Sequence, residues 1–446
     1  MRLNGAPIAS LAPVRTRSRP SILRLAICAC AFAASTLLSL APAAAQPVVD
    51  PPTPLLDPTH PVQWLFVYKF NASTYDTHSE PNACVFGGTF AGKPAGQAYA
   101  VASSGSGALK RGSGLVGTSL NDPVGATFGE IYRSNLNFVV WNDQFYGDPK
   151  LPCGKCERRW GHSKGILAWD NVGNGLVLQV TTPDWPGAGS AATPRPREGN
   201  TLGCEHETHN VQYGQHFFAL KLTPADTAMV LDALVNASVV TNVRDPQIAR
   251  LGGPADLVAR AAKLGQKVQS DDFQDVTLSS GVRLISKPSD LWVPPWQLIS
   301  ARLGSVPLRT STWRANSPIP TTTATTPVTC WRPSLGKPNA VEIATTGQWD
   351  HKVIKVSASG SHGKIGVSTE TTEPFTIFGD MNQQGALTGT GPECASAQNG
   401  RGGLFFILAD QQLFQSVTDL LKGETAPLTV PKKKQKPKPP PNGGGH

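Results

Sequence analysis

The chain has 446 residues and a formal net charge of +9, but this charge is confined to the ends: residues 1–45 hold five arginines, residues 431–446 hold five lysines, and neither segment holds an acid. The intervening residues 46–430 carry a formal charge of −1, which excludes a core that binds nucleic acid through bulk charge; phosphate binding there depends on the local placement of Lys and Arg. This segment is long enough for two domains or one large two-layered unit.

Both ends are predicted to lie outside the folded core. Residues 1–45 combine their arginines with an apolar run at 25–40 and three alanines at 43–45, as in a secretory signal peptide of alanine-rich bacterial type. A membrane anchor is the alternative, but the run is short for a span. Residues 431–446 are rich in Pro, Lys and Gly and predict a disordered tail whose lysines could attract a polyanion. We therefore expect an exported protein, periplasmic or extracellular, without a membrane span.

The core alternates predicted strands and helices along the chain. Apolar runs and alternation predict strands at 64–70, 138–141, 165–169, 175–180, 216–222, 341–343, 364–368, 375–378 and 404–408. A helix is predicted from Pro224 to about Val235, because Thr223 suits the cap and proline suits the first helical position. Further helices are predicted at 255–264 and 409–421, and loops at 184–210 and 317–329. Because strands and helices interleave, the sequence predicts an α/β fold.

The cysteines admit two interpretations. Six of them lie in the core: Cys84, Cys153, Cys156, Cys204, Cys330 and Cys394. An even number in an exported chain favours disulfides, and we expect Cys153–Cys156 and Cys330–Cys394 among the fifteen possible pairings. The alternative is a zinc site, whose candidate ligands are Cys153, Cys156, Cys204, His206 and His209. The residue types suit zinc, but Cys204, His206 and His209 do not have the spacing of a standard zinc finger.

Two short motifs carry the chemistry. His162 and Lys164 stand one residue apart before an apolar segment, and so do His362 and Lys364. Residues two apart on a strand point to the same face, so each pair can approach one partner. One imidazole could attack phosphorus, the other could protonate the leaving oxygen, and the lysines could hold the phosphoryl oxygens. Taken singly, such a pair is most often surface decoration; two pairs together predict metal-free phosphodiester cleavage.

The surrounding sequence resembles the deoxyribonuclease II family, acid endonucleases of the phospholipase-D-like superfamily. The similar stretches are PVQWLFVYKF (61–70), IYRSN (131–135), FVVWNDQ (138–144), GHSKGILAWD (161–170), VTTPDWP (180–186), YGQHFF (213–218) and FGDMNQQG (378–385). Each is short, but they occur in family order across most of the core. The resemblance implies two similar α/β halves with mixed sheets flanked by helices and the site at their junction. We place the halves at 46–235 and 236–430.

The resemblance also implies an activity. It implies endonucleolytic hydrolysis of DNA at acid pH, without metal or other cofactor, through a phosphohistidine that leaves 3′-phosphate ends; a homodimer around the DNA is a further expectation. The implied catalytic residues are His162, Lys164, His362 and Lys364. We expect His162 to be the nucleophile, although the sequence alone leaves the order of the two histidines open. The alternatives are a phosphodiesterase on phospholipids and a non-catalytic DNA- or polyanion-binding protein.

Four other polar residues are expected to support the site. The resemblance places Asn382 beside the catalytic groups. Asn142 and Asp143 lie in a similar stretch, and Asp170, six residues after Lys164, could brace the first half. Other residues are expected to be structural or solvent-facing: His206, His209 and His216. Trp313 could stack on a base, but core packing is the favoured interpretation.

Overall fold

The computed structural model describes residues 51–71, 74, 98–117, 120–144, 156–183, 213–357 and 360–429. These residues fall within one compact unit, Asp50–His446. The predicted signal peptide, the lysine-rich tail and the 184–210 loop lie outside the described residues. Within the described ranges, no helix has the length and apolar character needed to cross a bilayer.

The first sheet has eight strands. Their bounds are β1 Trp64–Lys69, β2 Tyr99–Ser103, β3 Ser106–Arg111, β4 Asn137–Asn142, β5 Lys164–Trp169, β6 Gly175–Val180, β7 Gln215–Leu222 and β8 Ala249–Arg250. They lie in the order β3-β2-β1-β7-β6-β5-β4-β8, and neighbouring strands are antiparallel. The five strands predicted here are confirmed, and β2, β3 and β8 are additional.

The second sheet has seven strands. Their bounds are β9 Gln274–Thr277, β10 Arg283–Lys287, β11 Leu308–Ser311, β12 Val341–Ile343, β15 Ile365–Ser368, β16 Phe375–Gly379 and β17 Gly403–Ala409. They lie in the order β12-β11-β15-β16-β17-β10-β9, and the sheet is mixed because β11 and β12 are parallel. A separate hairpin joins β13, Thr346–Trp349, to β14, Lys352–Lys355.

Five α-helices occur in the described part of the chain. They are α1 Pro123–Arg133, α2 Pro224–Asn236, α3 Ala255–Ala261, α4 Pro295–Arg302 and α5 Gln411–Leu420. The predicted start of α2 is confirmed, since Thr223 and Asp226 form a reciprocal capping box. Asp410 accepts a hydrogen bond from the backbone N–H of Leu413, so α5 begins just after it rather than at 409. Helix α3 ends earlier than predicted, and its last residues form turns before Gly265 at φ +74°.

The two sheets pack face to face. Side chains alternate along β1: Phe66 and Tyr68 point toward the second sheet, and Leu65 and Val67 point to the opposite face. The ring of Phe378 in β16 lies 4.7 Å from Phe66 and 4.4 Å from Phe218 in β7. Helix α1 covers the outer face of the first sheet and α4 that of the second. The result is an α/β fold in which α1 and α4 lie outside the two central sheets, while α2, α3 and α5 pack into the core that the sheets share.

The two halves repeat one arrangement. The order β1-β7-β6-β5-β4 in the first sheet matches β10-β17-β16-β15-β11 in the second. Helix α2 follows β7, and α5 follows β17. The predicted pair of similar α/β halves is therefore confirmed, while their boundaries at 235 and 430 remain predictions.

Disulfides tie parts of the chain together. Cys330 and Cys394 are joined, as predicted, with their Cα atoms 5.2 Å apart. Cys156 is also disulfide-bonded, and its predicted partner Cys153 lies outside the described residues.

Candidate active site

Both His-x-Lys motifs meet at one cavity of about 320 Å³ between the two halves. His162 and Lys164 lead into β5, and His362 and Lys364 lead into β15, so equivalent strands of the two halves present the motifs. All four side chains line the cavity, and each is more than nine-tenths buried. The rest of its wall is largely polar: Gln144, Thr181, Asn316, Asn382, Gln384, Gln398, Arg401, with Trp313 and Ala315.

The backbone of each histidine is held by the other half. The N–H of His162 donates to the carbonyl of Gly402, and the N–H of His362 donates to the carbonyl of Gly214, each at 2.7 Å. Residue 402 must be glycine, because a Cβ at this position would lie 2.1 Å from the carbonyl oxygen of Ala237. The two motifs are therefore positioned by contacts across the junction.

His162 is held as a neutral imidazole. Its Nδ1 lies 2.7 Å from the carbonyl oxygen of Asp380 and donates to it, so a neutral ring carries its lone pair on Nε2. Burial, together with the nearby charge of Lys164, lowers the pKa of His162 well below 6.5. A buried neutral imidazole with one committed nitrogen suits a nucleophile.

His362 lies between two aromatic rings. Tyr213 is stacked on it at a centroid distance of 5.2 Å and an angle of 8°, and Trp313 approaches edge-on at 4.4 Å. These contacts fix the plane of the imidazole, and the face of a tyrosine ring attracts a cation. The surroundings of His362 therefore differ from those of His162, whose Nδ1 is bound to a backbone carbonyl.

The two lysines have different partners. The ammonium of Lys164 contacts the Asp143 carboxylate at 2.5 Å, and Arg401 binds the other oxygen of that carboxylate at 2.7 Å. Burial alone would raise the pKa of Asp143, but the charges of Lys164 and Arg401 lower it well below its usual range. Lys364 donates to the carbonyl of His362 at 2.6 Å, and burial together with the charge of Lys164 lowers its pKa to about 7.

Comparison with known proteins gives this geometry a context. The family model described as "Deoxyribonuclease II" matches residues 57–423. The chain belongs to the deoxyribonuclease II family. It is accordingly a hydrolase of the nuclease type, and DNA is the substrate consistent with that family.

Two curated members of the family are similar over parts of their length. "Cell-death-related nuclease 7" of Caenorhabditis elegans is 25% identical over 292 residues, which cover 64% of this chain and 71% of that protein. "Deoxyribonuclease-2-alpha" of Sus scrofa is 32% identical over 155 residues, which cover 33% of this chain and 38% of that protein.

Three of the four supporting residues expected from the sequence lie at the site. Asn382 lines the cavity, Asp143 holds Lys164, and Asn142 accepts a hydrogen bond from the backbone N–H of Gln144. Asp170 is not brought there. It follows the far end of β5 and organises a turn by accepting from the N–H groups of Val172 and Asn174, so it does not act on the motif.

Several site residues were missing from the sequence analysis. Asp380 and Gln384 belong to a stretch that supported the family resemblance, so a signal for them existed. Arg401 carries no local signal, because only the fold brings it to Asp143. Trp313 lines the cavity against His362, contrary to the favoured expectation of core packing. His216 is structural, as expected: it is buried and its Nδ1 accepts from the N–H of Lys364 at 3.1 Å.

The alternative zinc cluster loses one candidate ligand. Cys156 is disulfide-bonded and so offers no thiolate, while the other four candidates lie outside the described residues. In the part of the chain that the structure describes, no group of three or more His, Cys, Asp or Glu side chains could hold a metal ion.

Proposed function

We propose that this protein is a metal-independent acid endonuclease that cleaves DNA to 3′-phosphate ends through a phosphohistidine. The observation that carries the proposal is the meeting of two His-x-Lys pairs at one buried polar cavity. The surroundings of the two histidines differ in the way that two separate roles require. His162 is assigned as the nucleophile and His362 as the general acid.

The first step forms a covalent intermediate. Nε2 of His162 attacks phosphorus, the bond from phosphorus to the 5′-oxygen breaks, and His362 gives its proton to that oxygen. The phosphoryl group stays on the 3′-oxygen and on His162. Lys164 and Lys364 bind its non-bridging oxygens and stabilise their developing charge.

The second step releases the product. Neutral His362 takes a proton from water, the resulting hydroxide attacks phosphorus, and the phosphorus–nitrogen bond to His162 breaks. The products are a 3′-phosphate end and the regenerated enzyme with His362 protonated. No metal takes part in either step.

An acid preference follows from the protonation states. His362 must begin protonated, and an ordinary histidine loses its proton near pH 6.5. Lys364, with its pKa lowered to about 7, is charged below that pH and neutral above it. Both groups are therefore in the required state at acid pH, and activity is expected to fall as the pH rises through about 7.

Plasmid cleavage in EDTA tests the proposal. The protein is expected to nick DNA at pH about 5 and much more slowly at pH about 8, and His162→Ala or His362→Ala should each remove the activity. His351→Ala is the matched control, because His351 is an exposed histidine followed directly by a lysine. Loss of cleavage in EDTA would contradict the metal-free mechanism. DNA binding without cleavage by any version would favour the binding protein, and cleavage of phospholipid alone would favour the lipid enzyme.

We also propose export and a homodimer. The Cys330–Cys394 disulfide and the disulfide-bonded Cys156 support an oxidising compartment such as the periplasm or the medium. Cell fractionation tests export, and sedimentation of the purified protein tests the dimer.

A further inference from the structure

Two buried lysines outside the His-x-Lys motifs occupy equivalent places in the two halves. Lys69 ends β1 and pairs in register with Gln215 of β7, and Lys287 ends β10 and pairs in register with Gly403 of β17. Neither side chain is exposed to solvent. The sheet order makes β1 and β10 counterparts, so the repeat of the fold places one buried ammonium in each half.

The contacts of the two ammonium groups repeat as well. Lys69 donates to the carbonyls of Phe70 and Tyr213, at 3.1 and 2.8 Å. Lys287 donates to the carbonyls of Pro288, Asn399 and Arg401, at 3.2, 2.8 and 2.8 Å. In both halves the ammonium therefore binds the residue that follows the lysine and the residue two positions before the neighbouring strand.

The residues that carry two of these carbonyls directly precede the glycines that bind the two histidines. Tyr213 precedes Gly214, whose carbonyl accepts from the N–H of His362, and the Tyr213 ring stacks on that imidazole. Arg401 precedes Gly402, whose carbonyl accepts from the N–H of His162. Each lysine thus fixes the segment of its own half that anchors the histidine of the other half.

Burial of a lysine is costly, because desolvation disfavours the charged ammonium. Burial lowers the pKa of both Lys69 and Lys287 to about 7. Below that pH each is a cation with three N–H donors, a set that can hold several carbonyl oxygens at once. An apolar side chain of similar length would fill the space but would remove these hydrogen bonds.

We propose that Lys69 and Lys287 are positioning residues, of which Lys69 sets the place of His362 and Lys287 sets the place of His162. This inference rests on the proposed two-histidine mechanism. The two lysines do not line the cavity and act only through the segments they hold. Because reactive groups must be held closely, a misplacement of about 1 Å can lower the rate about 100-fold.

The test uses Lys69→Met and Lys287→Met, with Arg309→Met as the matched control. Arg309 also binds several carbonyls, those of Leu421, Gly423 and Glu424, but it lies away from the cavity. On DNA at acid pH, both lysine variants are expected to lose kcat about 100-fold with KM nearly unchanged, whereas Arg309→Met keeps kcat. Losses of kcat that only follow the fall in melting temperature, in all three variants alike, would overturn the inference.

A second substrate separates the two lysines. Thymidine 3′-(p-nitrophenyl phosphate) has a leaving group that needs no proton, so misplacement of the general acid matters little in the first step, which the initial burst of p-nitrophenol release measures before His362 acts as a base. Lys69→Met is expected to recover most of its burst rate on this substrate, and Lys287→Met is not. If Lys287→Met recovers and Lys69→Met does not, the roles of the two histidines are exchanged, but the positioning by the lysines is still supported. Equal recovery in both variants would contradict the positioning. If a Met variant does not fold, Lys69→Arg or Lys287→Arg, which keep a cation, should show a smaller loss of the same kind.

A measurement that does not depend on catalysis distinguishes this inference from the proposed function. The imidazole ¹⁵N signals of the two histidines are assigned by His162→Ala and His362→Ala. Lys287→Met should shift the signal of His162, and Lys69→Met should shift the signal of His362. Arg309→Met should shift neither signal. An inactive wild-type protein with these selective shifts would overturn the nuclease mechanism but support the positioning, and unchanged signals would overturn the positioning.

Discussion

Asp380 acts on its surroundings through two different groups. Its backbone carbonyl accepts from His162, while its carboxylate accepts from Gln179 at 3.0 Å and from the N–H of Leu404 at 3.0 Å. Burial raises the pKa of this carboxyl to about 7. A residue of the second half thereby determines which nitrogen of the first histidine is free.

The raised pKa of Asp380 predicts a pH-dependent stability. Between pH 3.8 and about 7 the folded protein retains a proton that the unfolded chain releases, so the carboxyl stabilises the fold at low pH and this contribution is lost as the pH rises. Relative to Asp380→Asn, the wild-type free energy of unfolding should fall by up to roughly 4 kcal/mol across that window. Urea denaturation at several pH values measures it; a constant difference between the two proteins would contradict the assignment.

The sequence predicted the candidate residues whose pattern is local. His162, Lys164, His362 and Lys364 were singled out because their spacing has a meaning on a strand, and the structure brings all four to one cavity. Asp380 was not assigned a role, because its contact with His162 uses a backbone carbonyl, which every residue has. Asp170 was misplaced for a geometric reason: six residues along a strand span roughly 20 Å, so the carboxylate follows the opposite end of β5.

At the scale of the elements, the short backbone bridges between the two halves leave little room for side chains. Gly161 and Gly402 face each other in a parallel bridge, and both approach the Ala237 carbonyl. Close contact of three backbone segments leaves no room for a side chain. The position at which β17 begins therefore depends on this bridge as well as on the hydrogen bonds of the strand itself.

Gly402→Ala is expected to damage activity more than it damages the fold. The added Cβ would meet the Ala237 carbonyl and push β17 away from His162. We expect a loss of cleavage of at least about tenfold, on the scale of small misplacements, together with a modest fall in melting temperature. Gly105→Ala is the control, since a Cβ there would meet only the hydroxyl oxygen of Ser103, at 3.7 Å, and the backbone at Gly105 is not left-handed. Equal activity in Gly402→Ala and the wild type would contradict the close-packed bridge.

The elements missed from the sequence have weak patterns for identifiable reasons. Helix α1 contains Gly125 and Gly129, and each glycine lowers helix propensity by about 1 kcal/mol relative to alanine. Strand β9 is short and only partly buried, so it lacks the apolar alternation on which a prediction depends. Long apolar strands such as β1, β7 and β17 were predicted because burial dominates their composition.

At the scale of the whole molecule, the two sheets share one core. Phe66 and Phe218 from the first sheet and Phe378 from the second form a compact ring cluster. The same cluster extends to Phe406 in β17. Because the candidate active site lies where the halves meet, the packing that holds the sheets together also maintains the distance between the two histidines.

Phe378→Ala is expected to destabilise the entire protein. Removal of a fully buried phenylalanine typically costs about 3–5 kcal/mol, and the loss should appear as a lower midpoint of one cooperative transition rather than as separate unfolding of one half. Fluorescence and circular dichroism during urea denaturation should give coincident curves. Val353→Ala, at a side chain 72% exposed, should leave the midpoint unchanged. Two resolved transitions would show that the halves fold independently.

The anchoring of His162 by the second half also has a consequence for biosynthesis. Gly161 and the Arg401 side chain that binds its carbonyl are 240 residues apart, so a ribosome makes the first motif long before the groups that hold it. The nascent chain therefore passes through most of its synthesis without an assembled catalytic centre. A product terminated before Arg401 would lack the groups that hold the first motif, and we expect that such a product would not cleave DNA.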